Sequence, residues 1–259
     1  MSLLNRARVA GLALGMLLLS GCQTLSYREI QSDFNQSVQA DNSGTPFTDQ
    51  HSTVLQNLTP EYISKLEPKL RPNAWMLRSV SAWRTGSNSL ATESSRKGLE
   101  DPNLVPGSRD HVILEMIPAL VIDSDLNRRW LDAHRTVSGP EYASTYETEG
   151  FVTAWRRLTG PAAKAINNAT PEAVVAYFHY QRWRLILNWA AVIGSVRPRA
   201  DSVAAQERAS TVLGVEQDPL FAAQNEVDQI PANSPMSALI KAQGWVKPRP
   251  LQPGNSTPP

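Results

Sequence analysis

Arginine and tryptophan stand side by side four times in this chain, at Trp83-Arg84, Arg128-Arg129-Trp130, Trp155-Arg156-Arg157 and Arg182-Trp183-Arg184. A guanidinium beside an indole suits a carboxylate, a phosphate or a peptide strand, through bidentate hydrogen bonds and cation-π contact. If the helices that carry these pairs stack side by side, Arg129, Trp130, Trp155, Arg156, Arg182 and Arg184 line one groove for a ligand or partner. The alternative is that each tryptophan faces a core while its arginine neighbours reach outward to water. Other chemistry-bearing residues are sparse. The histidines are His51, His111, His134 and His179, with no His-Glu-x-x-His pair among them. His134 lies near Asp132, and His111 follows Asp110 and stands one turn before Glu115, so any metal site would have to be assembled in three dimensions. His179 falls on an apolar helical face and reads as a hydrogen-bonded core residue. No serine has a Gly-x-Ser-x-Gly context. Glu147 and Glu149 are two apart on an expected helix and point to different sides, which does not suit glycosidic acid-base work. The chain is therefore expected to be neither an enzyme nor a carrier of a cofactor or metal.

Cys22 is the one cysteine. It closes the run Leu19-Ser20-Gly21-Cys22, directly after the apolar stretch Val9 to Leu19, which itself follows Arg6 and Arg8. A basic region, an apolar region too short to span a bilayer and small residues before the cut describe an export signal. The run Leu-Ser-Gly-Cys resembles the bacterial lipobox. What that resemblance implies is removal of residues 1 to 21 and diacylation and N-acylation of Cys22, palmitate included. Several acyl chains on one residue make such an anchor effectively permanent. Gln23 follows the cysteine, and the family's sorting rule treats Asp there as the inner-membrane retention signal. The implied address is the outer membrane, on its periplasmic face.

The whole chain has 25 Lys plus Arg against 24 Asp plus Glu. Losing Arg6 and Arg8 with the signal leaves it close to neutral, which argues against nucleic acid as a partner, since counterion release needs a concentrated positive face. With its one thiol lipidated the protein has no disulfide, so stability must come from packing, to which seven tryptophans contribute large apolar area.

Five prolines stand where helices begin: Thr59-Pro60-Glu61, Arg71-Pro72-Asn73, Gly139-Pro140-Glu141, Gly160-Pro161-Ala162 and Thr170-Pro171-Glu172. Proline suits the first helical position, glutamate the positive end of the helix dipole and threonine the cap before them. Alternating Val/Ile/Thr runs and Asn-Gly or Asp-Gly turns are absent. The reading is all-α. The clearest helix runs from Pro171 to about Ser195 and is apolar nearly all round, which places it centrally, while Arg182 and Arg184 exclude a membrane span. Further helices are expected at Tyr27 to Ala40, Pro60 to Leu66, Asn73 to Thr85, Leu90 to Leu99, Arg109 to Arg135 with a kink at Pro118, Glu141 to Leu158, and Asp201 to Leu213.

Two stretches resemble the tetratricopeptide repeat, a helix-turn-helix with small residues where its helices cross. From Trp75 the chain offers Ser79, Gly86 at the turn, Ala91, Gly98-Leu99 and Asp101-Pro102; Tyr27, Phe34, Val38 and Asp41 resemble a second helix of such a repeat. Arg78 stands where the repeat has leucine and Ser95 where it has an aromatic residue. The expected fold is thus an irregular helical bundle or a short tetratricopeptide-like right-handed α-solenoid. The domains are a signal peptide over 1 to 21, a helical periplasmic body over 22 to 230, and a proline-rich, largely disordered tail over 231 to 259. The expected function is a protein-protein adaptor or accessory subunit of an envelope assembly, with an envelope protein as partner. The alternative is a helical module that binds a small acidic ligand or glycan strand.

Overall fold

A computed structural model describes residues 26–39, 50–136, 145–195, 207, 210–212 and 219–248, with side chains described for all of these except 129–136, 145–148 and 191–195. Every regular element among the described residues is helical. In chain order these are α1 (26–39), α2 (Gln50–Asn57), α3 (Pro60–Lys65), a short 3-10 turn (Pro68–Leu70), α4 (Arg71–Arg84), α5 (Asn88–Leu99), α6 (Arg109–Thr136) and α7 (Thr145–Arg157). A π turn (Leu158–Ala162) and the single turn α8 (Ala163–Ala165) follow, then α9 (Glu172–Ser195), α10 (Pro219–Asp228) and α11 (Pro235–Ala242). None of the described helices is long and apolar enough to cross a membrane.

The proline signals act as the sequence suggests at three positions. Thr59 caps α3 by accepting the Tyr62 N–H at 3.2 Å, Pro72 sits in the first turn of α4, and the Pro171 carbonyl accepts the Val174 N–H at 2.9 Å to start α9. Pro161 differs. It does not begin a helix but lies inside the π turn that continues α7, where a re-registered ladder tolerates the missing N–H. Pro118 lies inside α6. Gly139-Pro140, and nearly all of the helix expected at Asp201 to Leu213, lie outside the described residues.

The chain divides between Pro106 and Gly107 into two compact units, where the sequence reading has one body over 22 to 230. In the first unit α4 is the hub, packed against α2, α3 and α5. The α4/α5 hairpin turns at Gly86, whose φ of 76° is the left-handed conformation that glycine adopts without strain. Ser79, Ala91, Ser94, Ser95 and Gly98 are buried, so small side chains let the two helices approach closely. Arg78, out of place for a tetratricopeptide repeat, is buried, and its Nη1 donates to the carbonyls of Leu55 (3.1 Å) and Leu58 (2.6 Å). It thereby satisfies carbonyls at the C-terminal end of α2 that the helix itself cannot. Burial pulls this guanidinium below its ordinary pKa, and the charges of Glu93 and Glu61 oppose that.

In the second unit α9 is the hub. It packs against α6, α7, α10 and α11, and its Trp183, Leu185, Ile186 and Trp189 are almost fully buried. Trp189 lies 5.2 Å from the ring of Phe151 on α7. Asp123 of α6 is buried and accepts hydrogen bonds from Asn188 of α9 (2.9 Å) and Asn127 (3.3 Å). Helices of 28, 13 and 24 residues in this unit do not repeat the α4/α5 hairpin. Residues 231–248, assigned from the sequence to a disordered tail, include α11, capped by Ser234 through the Ser237 N–H. Proline here starts a helix instead of preventing one. Residues 249–259 lie outside the described residues.

Candidate functional site

On α9, His179 and Arg182 stand three residues apart, close enough on one helical face to meet the same group. That group is the carboxylate of Glu226 on α10. Arg182 Nη2 lies 2.8 Å from Oε1, and His179 Nδ1 lies 2.8 Å from Oε2. Each carboxylate oxygen has its own donor. An ionised carboxylate only accepts, so a hydrogen bond to it requires the His179 tautomer that carries its proton on Nδ1. The guanidinium carbon of Arg182 is 4.7 Å from the ring centroid of Trp155 on α7 and 5.4 Å from that of Phe178. Glu226 is only 7% exposed. Burial lowers the pKa of Arg182 and the Glu226 charge raises it again. Since arginine keeps its proton in proteins, that direction marks a guanidinium whose removal from water the Glu226 carboxylate offsets only in part.

The cluster continues toward the C-terminus. Trp183 is buried beneath Trp245, with ring centroids 5.8 Å apart and the rings perpendicular. The Trp245 indole N–H donates to Gln224 Oε1 at 3.0 Å, and Gln243 Nε2 donates to the Tyr180 hydroxyl at 3.0 Å. Two buried donors of this region, Arg182 Nε and Trp183 Nε1, have no acceptor among the described residues.

Of the residues singled out in the sequence, the structure brings together Trp155 and Arg182. Arg184 is a different case. Two residues along a helix is about 200° of rotation, and Arg184 acts on Asp123 of α6 while Arg182 faces Glu226 of α10. The two guanidiniums of Arg182-Trp183-Arg184 therefore do not share one groove. Arg156 and Arg157 are exposed at the C-terminal end of α7, where positive charge complements the helix dipole. Arg129 and Trp130 belong to α6, but their side chains, like Cys22 as a whole, lie outside the described residues. Compared with protein-family models, with curated proteins and with solved structures, the chain matches none.

The remaining candidates have local roles. His51 is buried, with Nδ1 3.2 Å from Ser81 Oγ, and its ring meets Phe34 edge-on at 5.8 Å. His111 Nδ1 accepts the Gly107 N–H at 3.1 Å. The side chain of His134 is outside the described residues. Among the described residues no three His, Cys, Asp or Glu side chains form a group able to hold a metal ion. Ser94-Ser95-Arg96-Lys97 has the Ser-x-x-Lys spacing, but Ser94 is buried, and Lys97 pairs with Glu93 at 3.1 Å and lies over the Trp75 ring.

Glu226 is the residue that sequence reasoning does not find. It lies 47 positions from His179, outside any motif. The helix Pro219-Leu-Phe-Ala-Ala-Gln-Asn-Glu-Val-Asp228 carries two acidic residues, Glu226 and Asp228, among apolar and amide-bearing ones. Nothing in that pattern says which of the two is buried or what it meets.

Proposed function

We propose that this chain is an exported lipoprotein held in the outer membrane, on its periplasmic face, by acyl chains on Cys22. Its helical body acts as a protein-protein adaptor or accessory subunit of an envelope assembly. The run Leu19-Ser20-Gly21-Cys22 behind a short apolar stretch carries the anchor. The Glu226 contact supports the adaptor: the Arg182, His179 and Trp155 cluster receives a carboxylate presented on a helix, the chemistry of recognising another polypeptide. A small acidic ligand or glycan strand would need that cation open, and Glu226 already matches Arg182.

Replacing Cys22 with Ser tests the anchor: palmitate labelling should disappear and the protein should leave the membrane fraction. Persistent labelling refutes the lipid assignment. Crosslinking in living cells, followed by gentle solubilisation and co-purification, tests the adaptor, which requires one envelope protein recovered reproducibly with the wild-type chain.

A further inference from the structure

The lipid anchor and the body it holds are almost adjacent in sequence. Only Gln23, Thr24 and Leu25 separate Cys22 from α1. Whatever path those residues take, four Cα-to-Cα steps span at most about 14 Å. α1 is itself no linker. Its Tyr27, Ile30 and Phe34 are buried in the first unit, and Asn73 in the first turn of α4 accepts from the Tyr27 hydroxyl at 2.6 Å and from Gln31 Nε2 at 2.8 Å. Further along, Phe34 meets His51, whose Nδ1 is 3.2 Å from Ser81 Oγ. Progress from Tyr27 to Phe34 on α1 thus matches progress from Asn73 to Ser81 on α4, so the two helices run side by side in one direction. α5 returns antiparallel, and Lys97 in its last turn stands over the ring of Trp75, 5.4 Å from its centroid. One end of the unit therefore gathers the starts of α1 and α4, the turn Pro68–Leu70 and the end of α5. The Gly86 turn lies at the other end, beyond the 14 residues of α4, about 21 Å away.

We infer that this end of the first unit is seated on the headgroup layer of the membrane that holds Cys22, with the Gly86 turn pointing away from it. The inference rests on the lipid anchor at Cys22 and says which face of the body that anchor presents to the bilayer. An acylated residue sits at the headgroups, so a tether of about 14 Å keeps the start of α1 beside them. α1 brings with it the unit into which it is packed. The chemistry of this end agrees. Arg28, Glu29, Glu67 and Lys69 are exposed there, with Lys69 and Glu67 only 3.1 Å apart, and Trp75 is half-buried beneath Lys97. Cations and carboxylates side by side match a zwitterionic headgroup, which presents a phosphate and an ammonium together, and an indole beside a cation suits the boundary between headgroups and water. Further along α1 the exposed Ser32, Asn35 and Gln36 offer neither charge nor ring. The far end exposes Ser87 and Ser89 with the single charge of Arg84.

Depth measurements on the full, lipidated chain in vesicles of phosphatidylethanolamine and phosphatidylcholine test it. Lipidation consumes the Cys22 sulfur, so a fluorophore couples only to the thiol introduced by Lys69→Cys, or by Ser89→Cys beside the Gly86 turn; both positions are exposed. Lipids with a nitroxide on the headgroup should quench the Lys69→Cys label at least about threefold more than the Ser89→Cys label, because contact quenching does not reach across the roughly 20 Å between the two ends. A Gly/Ser insertion of about twenty residues between Thr24 and Leu25 should bring the Lys69→Cys label down to the level of Ser89→Cys, since it adds a mean reach of about 25 Å. Equal quenching at the two positions, or stronger quenching of Ser89→Cys, overturns the proposal. Quenching unchanged by the insertion also overturns it, because something other than the short tether then orients the body. So does a Lys69→Cys label that lipid leaves untouched but that crosslinks in native membranes to a protein, which makes this end a protein contact. In each of these results a chain that still carries palmitate leaves the anchor standing and refutes only the seating, whereas a chain without palmitate refutes the anchor itself.

Discussion

Asp123 is a carboxyl whose pKa burial raises above the ordinary carboxylate range, against the opposing effects of Arg184, Asn188 and Asn127. Since the native value exceeds the unfolded one, its contribution to stability is complete below the ordinary range and is lost as pH rises through the native value; above both it is a fixed cost. Asp123→Asn keeps an oxygen that can accept from Asn188 and Asn127 and removes the buried charge. Urea melts across pH should show the variant gaining on wild type as pH rises above the ordinary carboxylate range and holding its advantage at neutrality. A constant difference would refute this account of Asp123. Trp189 raises a question of volume instead of charge. It is fully buried against Phe151, so Trp189→Ala should cost about 3 to 5 kcal/mol, and an unmoved urea midpoint would contradict its place in the core. At this scale the sequence is a partial guide. It shows that tryptophan and arginine alternate on α9, but not that Trp155 meets Arg182, because that meeting depends on how α7 crosses α9.

Helix starts are the most legible elements, because proline and its cap act within one turn. Thr59-Pro60 and Thr170-Pro171 place the beginnings of α3 and α9 correctly. The same signature at Ser234-Pro235 opens α11, but there the proline-rich composition of the C-terminus suggests an extended tail instead. Local capping outweighs composition once Ile230 and Ile240 find burial. Ser234→Ala should therefore destabilise α11 by about 1 kcal/mol, seen as faster amide exchange over residues 235–245 with the remainder of the unit unchanged. Loss of protection throughout α9 would show the cap to be a global determinant. α2 is illegible for the opposite reason: Gln50-His-Ser-Thr-Val-Leu-Gln-Asn57 has weak helical propensity, and carbonyls at its end are satisfied by Arg78 from α4. Tertiary contacts decide that helix.

Across the whole molecule, the all-α class is readable from the lack of β signals, whereas the division between Pro106 and Gly107 is not marked by any glycine- or serine-rich linker. Gly107 itself has φ of 79°, and a Cβ there would lie 2.1 Å from the side-chain nitrogen of Asn167. Gly107→Ala should thus cost on the order of 1 to 3 kcal/mol, measured by thermal melting. The neighbouring contact has a kinetic consequence. Thr170 Oγ1 donates to the Gly107 carbonyl at 2.8 Å across 63 residues, so the polypeptide between them must be gathered into a closed ring. Closing a ring of that length carries an entropy penalty on the order of 4 kcal/mol before the contact returns anything. Such a stitch belongs to the last stage of assembly and is among the first to part. In stopped-flow chevrons Thr170→Val should steepen nothing on the refolding limb and raise the unfolding rate by the full loss in stability. The Thr170 hydroxyl then lengthens the lifetime of the second unit without quickening its formation.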